Sequence, residues 1–534
     1  MRVLRYLRKK TQALVYGSPF YRALLGRGKN PPHLHLILND SWPGDAKAGQ
    51  AIAASPSSPF EPAQPLTPAK RKPLLAHGWL RDLKAMGTDS AKRKARALLK
   101  DWLINRDNWE EESWAPDVLG ERLTNWISFH DFCAVHADED LEERLIASLL
   151  RQRNHLLRVL PAPLTGTEGL QAIKGLIVAD LSLSKGRKAL GLGLELLQRH
   201  LAAEILPDGG HISRNPDAQL KMLHHLIDIR AALRAAGQET PPELLTAIER
   251  MVPALKLFRH GDGGLAHFNG GHQDNGLEME AVLSMAEARG RVLRRLPQTG
   301  YERVTAGRAL LLVDVGVPPP WPHDKTAHAG LLSFEFSVGR ERLIVNCGAG
   351  PEGDEEWRAA TAATAAHSAL ILADTNACEV LPEGHIGHRP KPVAAQRYEQ
   401  DGAHYVETAH GGYESGFHVT HHRSLCLAAE GEELHGRDLL SGPPGQEYTI
   451  RWHLHPTVQA SLVQGGQAAL LLTPSGLGWR FRIESGIMGG ELSLESSVYC
   501  GGGTPRRTLQ LKVTGRTDED PAVIGWMLVR EKKG

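Results

Sequence analysis

Ala327-His328-Ala329-Gly330-Leu331-Leu332-Ser333-Phe334-Glu335-Phe336 opens on a histidine and a glycine, then runs into a strand of bulky side chains. The same texture, short β-rich runs separated by Gly and Pro turns, fills the chain after Gly300. Strands are expected over residues 309–315, 331–338, 342–345, 417–427, 446–455, 467–472, 479–483, 491–499 and 506–513. Strands in such number, with no helices between them, predict an antiparallel β-sandwich over residues 298–534 rather than a parallel α/β sheet.

Toward the N-terminus the period changes. From Asp89 to about Leu293 apolar residues recur at helical spacing, broken by short Gly, Pro or Asp stops. Helices are expected over 117–133, 141–160, 167–181, 186–206, 218–236 and 241–258, and their short links make neighbours antiparallel. An incomplete ring of helix pairs over residues 74–297 satisfies that pattern. Residues 1–73 form an extension, in which the Pro-, Ala- and Ser-rich stretch 44–73 reads as an extended strap rather than a helix. The fold class is therefore multidomain, α first and β second.

Composition narrows the partners. The 534 residues exceed one ordinary domain of roughly 100–200 residues. With 62 basic and 61 acidic side chains the formal net charge is +1, which gives no global field to hold nucleic acid. An anionic ligand must be read locally. Five scattered cysteines argue against a disulfide scaffold or a Cys-rich zinc module and favour a reducing compartment. The basic start (Arg2, Arg5, Arg8, Lys9, Lys10) is followed by too few apolar residues for a signal-peptide core, and reads as a solvated helix end. No apolar run approaches the roughly 20 residues of a membrane span, so the chain reads as soluble, and with no signal peptide evident a cytoplasmic protein is expected. A Gly-x-Ser-x-Gly elbow, a Walker-type loop and His-Glu-x-x-His are all missing, and no nucleotide or organic cofactor is expected.

Chemistry-bearing residues collect in a few places. The loop Leu206-Pro207-Asp208-Gly209-Gly210-His211-Ile212-Ser213-Arg214-Asn215-Pro216 packs an acid, an imidazole, a guanidinium and an amide between two helices. Residues 259–271 repeat the Asp-Gly-Gly theme at Asp262 and add Asn269. His328 and His367, each at the start of a strand, are possible partners for one metal ion, with Asn346 as a third ligand; two hydrogen-bonded core histidines are the plainer reading. Strand alternation puts His421 and Arg423 on one face, and His453 and His455 on another with Arg451. Arg and His on one face suit an acidic saccharide.

The helical half with Asp208-Gly209-Gly210-His211, followed by the runs 328–335, 343–348 and Ala366-His367-Ser368, resembles the heparinase II/III-like polysaccharide lyases over roughly residues 75–530. The resemblance implies an incomplete (α/α) toroid followed by an antiparallel β-sandwich. It also implies cleavage of uronic-acid polysaccharides by β-elimination: a base takes the proton beside the carboxylate, a neutraliser holds the carboxylate's charge, and an acid protonates the leaving oxygen. The family's His-x-His-x-Asp run reads Thr326, His328, Gly330 here, its metal-site Asp falls at Asn346, its last histidine is His367, and its catalytic Tyr falls near Ala218. The upstream Asn-His pair falls near Glu168-Gly169.

These residues predict a lyase working between toroid and sandwich on an anionic polysaccharide or oligosaccharide. Tyr413 is the expected acid or base, His211 its partner and Arg214 the neutraliser, with Asp208, Asn215, Asn269, His421, Arg423, His453 and His455 binding substrate. One divalent metal, zinc, would be weakly held or absent at His328, Asn346 and His367. Two alternatives stand beside this reading: a glycan-binding pseudoenzyme of the same fold, and a toroid glycoside hydrolase using Asp208 and Asp262. Family analogy also allows a periplasmic location.

Overall fold

Helical periodicity in the first half and two-residue alternation in the second both carry through to the backbone. The computed structural model describes residues 11–27, 31–56, 58–61, 66–134, 139–160, 164–184, 189–272, 276–390, 392–484 and 490–531. The chain divides into one unit of residues 1–203 and 221–248 and a second of residues 204–220 and 249–534.

The first unit is helical, and its helices start where sequence signals say they should. Thr88 accepts a hydrogen bond from the Ala91 amide at the head of Asp89–Asn105, and a proline opens Pro116–Ser128. Pro116–Ser128 crosses Gly166–Leu183 at backbone contact: a Cβ on Gly175 would lie 2.2 Å from the Gly120 Cα. Only glycine at both positions allows that approach. Leu119, Leu123, Trp126, Leu170, Leu176 and Ile177 close around the crossing. The expected helix 186–206 appears as Leu190–Glu204, its predicted start lying outside the described residues. Among the described residues no helix is long and apolar enough to cross a membrane.

The expected strap needs correction. Residues 44–73 contain a helix, Ala46–Ala54, and the start of another, Pro68–Leu75; residues 57 and 62–65 lie outside the described set. Asp45 caps the first by accepting from the Lys47 and Ala48 amides, and Pro68 sits in the first turn of the second, where its missing N–H costs nothing. The prolines flank the alanine-rich run rather than interrupt it. Further upstream, Trp42 stacks on His224 at 3.7 Å and donates to Asp228 at 2.7 Å, so this extension packs on the helices of its own unit.

The second unit is a two-sheet antiparallel sandwich. One sheet runs in the order β1 (Arg295–Leu296), β2 (Tyr301–Ala306), β3 (Ala309–Asp314), β4 (Phe334–Val338), β5 (Glu341–Val345), β11 (Glu447–Leu454), β16 (Arg506–Arg516) and β15 (Glu491–Tyr499), with β6 (Leu370–Leu372) also against β11. The other runs β12 (Gln459–Val463), β13 (Ala468–Leu472), β14 (Gly478–Ile483), β17 (Ala522–Arg530), β10 (Glu433–Ser441), β9 (Val419–Leu427), β8 (Ala403–Tyr413) and β7 (Pro392–Gln400). Leu311, Phe334, Phe336, Leu425, Trp452, Trp479, Phe481 and Trp526 belong to the core these strands enclose.

His421 and Arg423, expected on a substrate face, point into this core beside Val419 and Leu425. They are there because Asp438 of β10 meets them: its Oδ1 accepts from Arg423 Nε at 2.7 Å and hydrogen-bonds His421 Nε2 at 2.7 Å, while Trp526 donates to Oδ2 at 3.2 Å. Arg423 also donates to the Leu332 and Ser368 carbonyls. Burial alone would raise the Asp438 pKa, but Arg423 and the His421 hydrogen bond more than reverse it, leaving the carboxyl well below its usual range.

Asp438→Ala would strand a charged arginine in the core, so urea unfolding should report a loss of about 3–5 kcal/mol; a loss under about 1 kcal/mol would show that the cluster is not needed. A pH series tests Asp438 together with the buried histidines of this unit. Burial lowers the His421 pKa, and brings His367 down to about 4 and His453 to about 3. Unfolded, these groups would bind protons that the folded chain excludes, so stability should fall as pH drops below about 6.5 and fall further below about 4 as Asp438 follows.

Candidate functional site

The Asp208–Asn215 loop is built by glycine and by carboxylate clamps. Gly209 adopts φ +84°, and a Cβ there would lie 2.2 Å from the Arg250 carbonyl oxygen. Asp208 accepts from the Gln298 and Thr299 amides, each at 2.8 Å, and from the Thr299 hydroxyl at 2.7 Å. Asn215 caps the helix Pro216–Ala235 by accepting from the Asp217 amide at 2.8 Å. Arg214 is buried: it donates to the carbonyls of Thr299 (2.6 Å), Val317 (2.7 Å) and Gly300 (3.1 Å) and is ion-paired with Asp314. Asn269 donates to Asp314 at 3.3 Å and to the Tyr301 hydroxyl at 2.7 Å, and that hydroxyl donates to the Arg214 carbonyl.

Several expected roles change accordingly. Arg214 is buried with its fork on Asp314 and three carbonyls, so it presents no open fork to a substrate carboxylate. Asp208, Asn215 and Asn269 make their polar contacts with backbone groups, with Asp314 and with the hydroxyls of Thr299, Tyr301 and Thr326 rather than with a ligand. Asp262 is bound by Arg342 at 2.8 and 3.1 Å, and despite burial its pKa is lowered by that arginine. A general acid needs the opposite shift, so the Asp208 and Asp262 hydrolase pair is not supported.

Tyr413 is 1% exposed, and its hydroxyl donates to the Leu370 carbonyl at 2.9 Å. Burial pushes its pKa above the ordinary tyrosine value, the wrong direction for a base. His211 has different neighbours: Nδ1 lies 2.7 Å from the Ser213 hydroxyl and Nε2 lies 3.5 Å from Glu204. His453 is buried between the Ser497 hydroxyl (2.7 Å) and the Ala365 carbonyl (2.9 Å), so it is no more a surface ligand than Arg423. His455 lies one residue past β11, half-buried, with Nδ1 2.8 Å from the Thr457 hydroxyl.

His328 and His367 do meet, with Nδ1 and Nε2 at 3.1 Å. The third position does not complete a metal site. Asn346 accepts from the Ser368 amide at 3.0 Å and donates to Glu335 at 3.4 Å, leaving two neutral imidazoles already bonded to each other. Nor is there room for a carboxylate at Gly330, where a Cβ would lie 2.4 Å from the His367 ring. Among the described residues no group of three or more His, Cys, Asp or Glu side chains is placed to hold a metal. The residues present do not fit a resident divalent ion.

What sequence spacing did not reveal is a pair of histidine–carboxylate contacts. Glu204, 1% exposed, has Oε2 3.1 Å from His323 Nδ1 as well as 3.5 Å from His211. His272 Nδ1 lies 3.0 Å from Asp217 Oδ2. Asn215, two residues before Asp217, reaches the Thr326 hydroxyl at 3.4 Å, three residues after His323. Two residues before His323, Trp321 is 71% exposed. Glu204 and His323 are remote in sequence, and only the Pro-rich run 318–322 marks the second of them.

Helices followed by an antiparallel two-sheet sandwich, with His328 and His367 paired in the loops ahead of β4 and β6, have the architecture of the toroid-plus-sandwich polysaccharide lyases. Residues 288–527 match the family model described as heparinase II/III-like, C-terminal. FtsZ-localized protein C of Caulobacter vibrioides (strain NA1000 / CB15N) is 30% identical over 531 residues, covering 94% of this chain and 89% of that protein. Heparinase III shares the fold at TM-score 0.76 and 12% identity, covering 96% of this chain and 90% of that one. Heparan sulfate lyase HepC from Pedobacter heparinus does so at 0.65 and 13%, covering 98% and 88%. The chain belongs to the heparinase II/III-like family.

Two outcomes follow from the geometry. Arg214→Ala should cost about 3–5 kcal/mol in urea unfolding, because Asp314 is left buried without its partner. Unchanged stability would return Arg214 to the ligand-binding set. Dialysed protein should hold no stoichiometric zinc by elemental analysis, and neither added zinc nor a chelator should move its unfolding midpoint.

Proposed function

We propose that this protein binds an anionic, uronate-containing glycan without cleaving it, and that it acts where FtsZ is located. The observation that carries the reading is the engagement of Arg214 and Tyr413, the expected neutraliser and acid or base, in buried contacts that hold the fold. Thr326 and Ala218 stand where the family resemblance puts the catalytic histidine and tyrosine, and neither moves a proton near neutral pH. Binding groups remain. The exposed Trp321 ring offers a face for a sugar's C–H surface, and His323 and His272, each beside a carboxylate, offer hydrogen bonds to its hydroxyls. The placement with FtsZ rests on the name of the Caulobacter relative and on the 94% of this chain that aligns with it.

A lyase is the second reading, favoured by one contact: an imidazole backed by a buried carboxylate, as at His323 and Glu204, is a general-base arrangement. One experiment separates them. Purified protein is incubated with a panel of uronate polysaccharides, and binding is followed together with ultraviolet absorbance of unsaturated uronide. Binding without absorbance is expected, along with co-sedimentation with FtsZ polymers. Absorbance that His323→Ala lowers by about 10²-fold or more would establish the lyase instead.

A further inference from the structure

We propose a second saccharide site on the outward face of the β7–β10 sheet, taking a carboxylated sugar unit. The strand registers line up three rows of outward side chains. Tyr398, Tyr405, Cys426 and His435 form one row; Gln396, Glu407, Ser424 and Arg437 form the next; Ala409, His422 and Leu439 form the third. In the middle row the short Ser424 separates Glu407 from Arg437 by two strand spacings, roughly 9–10 Å. A hollow of about 320 Å³ opens there, lined by Gln396, Glu407, Ser424, Arg437, His422 and Leu439 among others. That is the lower end of the roughly 300–1,000 Å³ range of small-molecule sites, which suits one or two sugar rings rather than a macromolecule.

The lining chemistry selects the ligand. Arg437 is exposed and makes no hydrogen bond or ion pair with any described residue, so a guanidinium fork is available to an anion. Glu407 is held at the opposite wall by the Tyr398 hydroxyl at 2.8 Å, and its negative charge disfavours a doubly charged phosphate. A single carboxylate on Arg437, with ring hydroxyls reaching Glu407, Gln396, Ser424 and His422, engages the polar groups of the two outward rows that line the hollow. Ala409 and Leu439 give the floor an apolar surface for C–H groups. The neighbouring rings of Tyr398 and Tyr405, stacked at 4.9 Å and 7°, add a flat aromatic border.

This site is separate from Trp321 and His323, and a calorimetric titration of the full-length protein keeps the two apart. The probe is an unsulfated tetrasaccharide of alternating glucuronate and N-acetylglucosamine, with the neutral N-acetylglucosamine tetramer as counterpart. In a Trp321→Ala background the acidic probe should still bind, at least tenfold more tightly than the neutral one. Adding Arg437→Ala should weaken it by about tenfold or more, and Ser424→Trp should fill the hollow and abolish binding. Both substitutions lie on the outer face and should leave the unfolding midpoint in place; if Ser424→Trp unfolds, Arg437→Ala decides. No binding in the Trp321→Ala background, or binding indifferent to Arg437→Ala, overturns the proposal. Binding that Trp321→Ala alone removes also overturns it, while leaving the other glycan site standing.

Discussion

A guanidinium cannot be taken out of water without an anion to meet it, and two buried arginines organise the second unit around that constraint. Arg423 projects from β9 into the sandwich and requires Asp438 opposite it on β10; His421 and Trp526 then complete the carboxylate's hydrogen bonds. Arg214 requires Asp314, which in turn holds the side chain of Asn269, while the guanidinium itself fixes the turn at Thr299 and Gly300. Large apolar residues such as Phe334, Trp452 and Trp526 supply the burial, but they would accept many packings. The charge pairs accept few, because any register that separates Arg423 from Asp438 leaves an uncompensated ion.

The same pairing rule governs what is left for a ligand. A side chain committed to buried contacts within the protein contributes to stability rather than to substrate binding, and Arg214, Asp208, Asn215 and Arg423 are committed in this way. The imidazoles divide similarly. His367 and His453 are buried, with pKa values lowered to about 4 and about 3 by loss of hydration, so they are neutral hydrogen-bonding groups of the interior. His272 and His323 lie nearer the surface instead, each against a carboxylate, Asp217 at 3.0 Å and Glu204 at 3.1 Å. Family membership thus fixes the frame, and the side chains left outside its internal contacts are what that frame can offer to a ligand.

His328 and His367 show how a family pattern can survive as geometry while its chemistry changes. The two rings still face each other, now in direct hydrogen-bond contact, yet Asn346 offers an amide already committed to Ser368 and Glu335, and the His367 ring occupies the space a side chain at Gly330 would need. Without an anionic ligand the pair is more stable as a neutral hydrogen bond than as a cation site.

The sequence by itself determined the order of architectures. A period near 3.6 through the helices and a period of two after Gly300 are local properties, written residue by residue, and they predicted helices first and an antiparallel sandwich second. It also showed which residue types were available: the Asp-Gly-Gly loop, the strand histidines, the arginines. It misread the segment 44–73, because proline content was weighed above the Asp45 cap and the alanine run between the prolines. Whether a polar residue faces ligand or core was left to the tertiary structure. Alternation assigns His421 and Arg423 to one side of β9, but only the arrival of Asp438 from β10 makes that side the inside, and only a chain that returns from residue 323 to residue 204 can set His323 against Glu204. Burial and electrostatic pairing depend on partners distant in sequence, so no local pattern carries them.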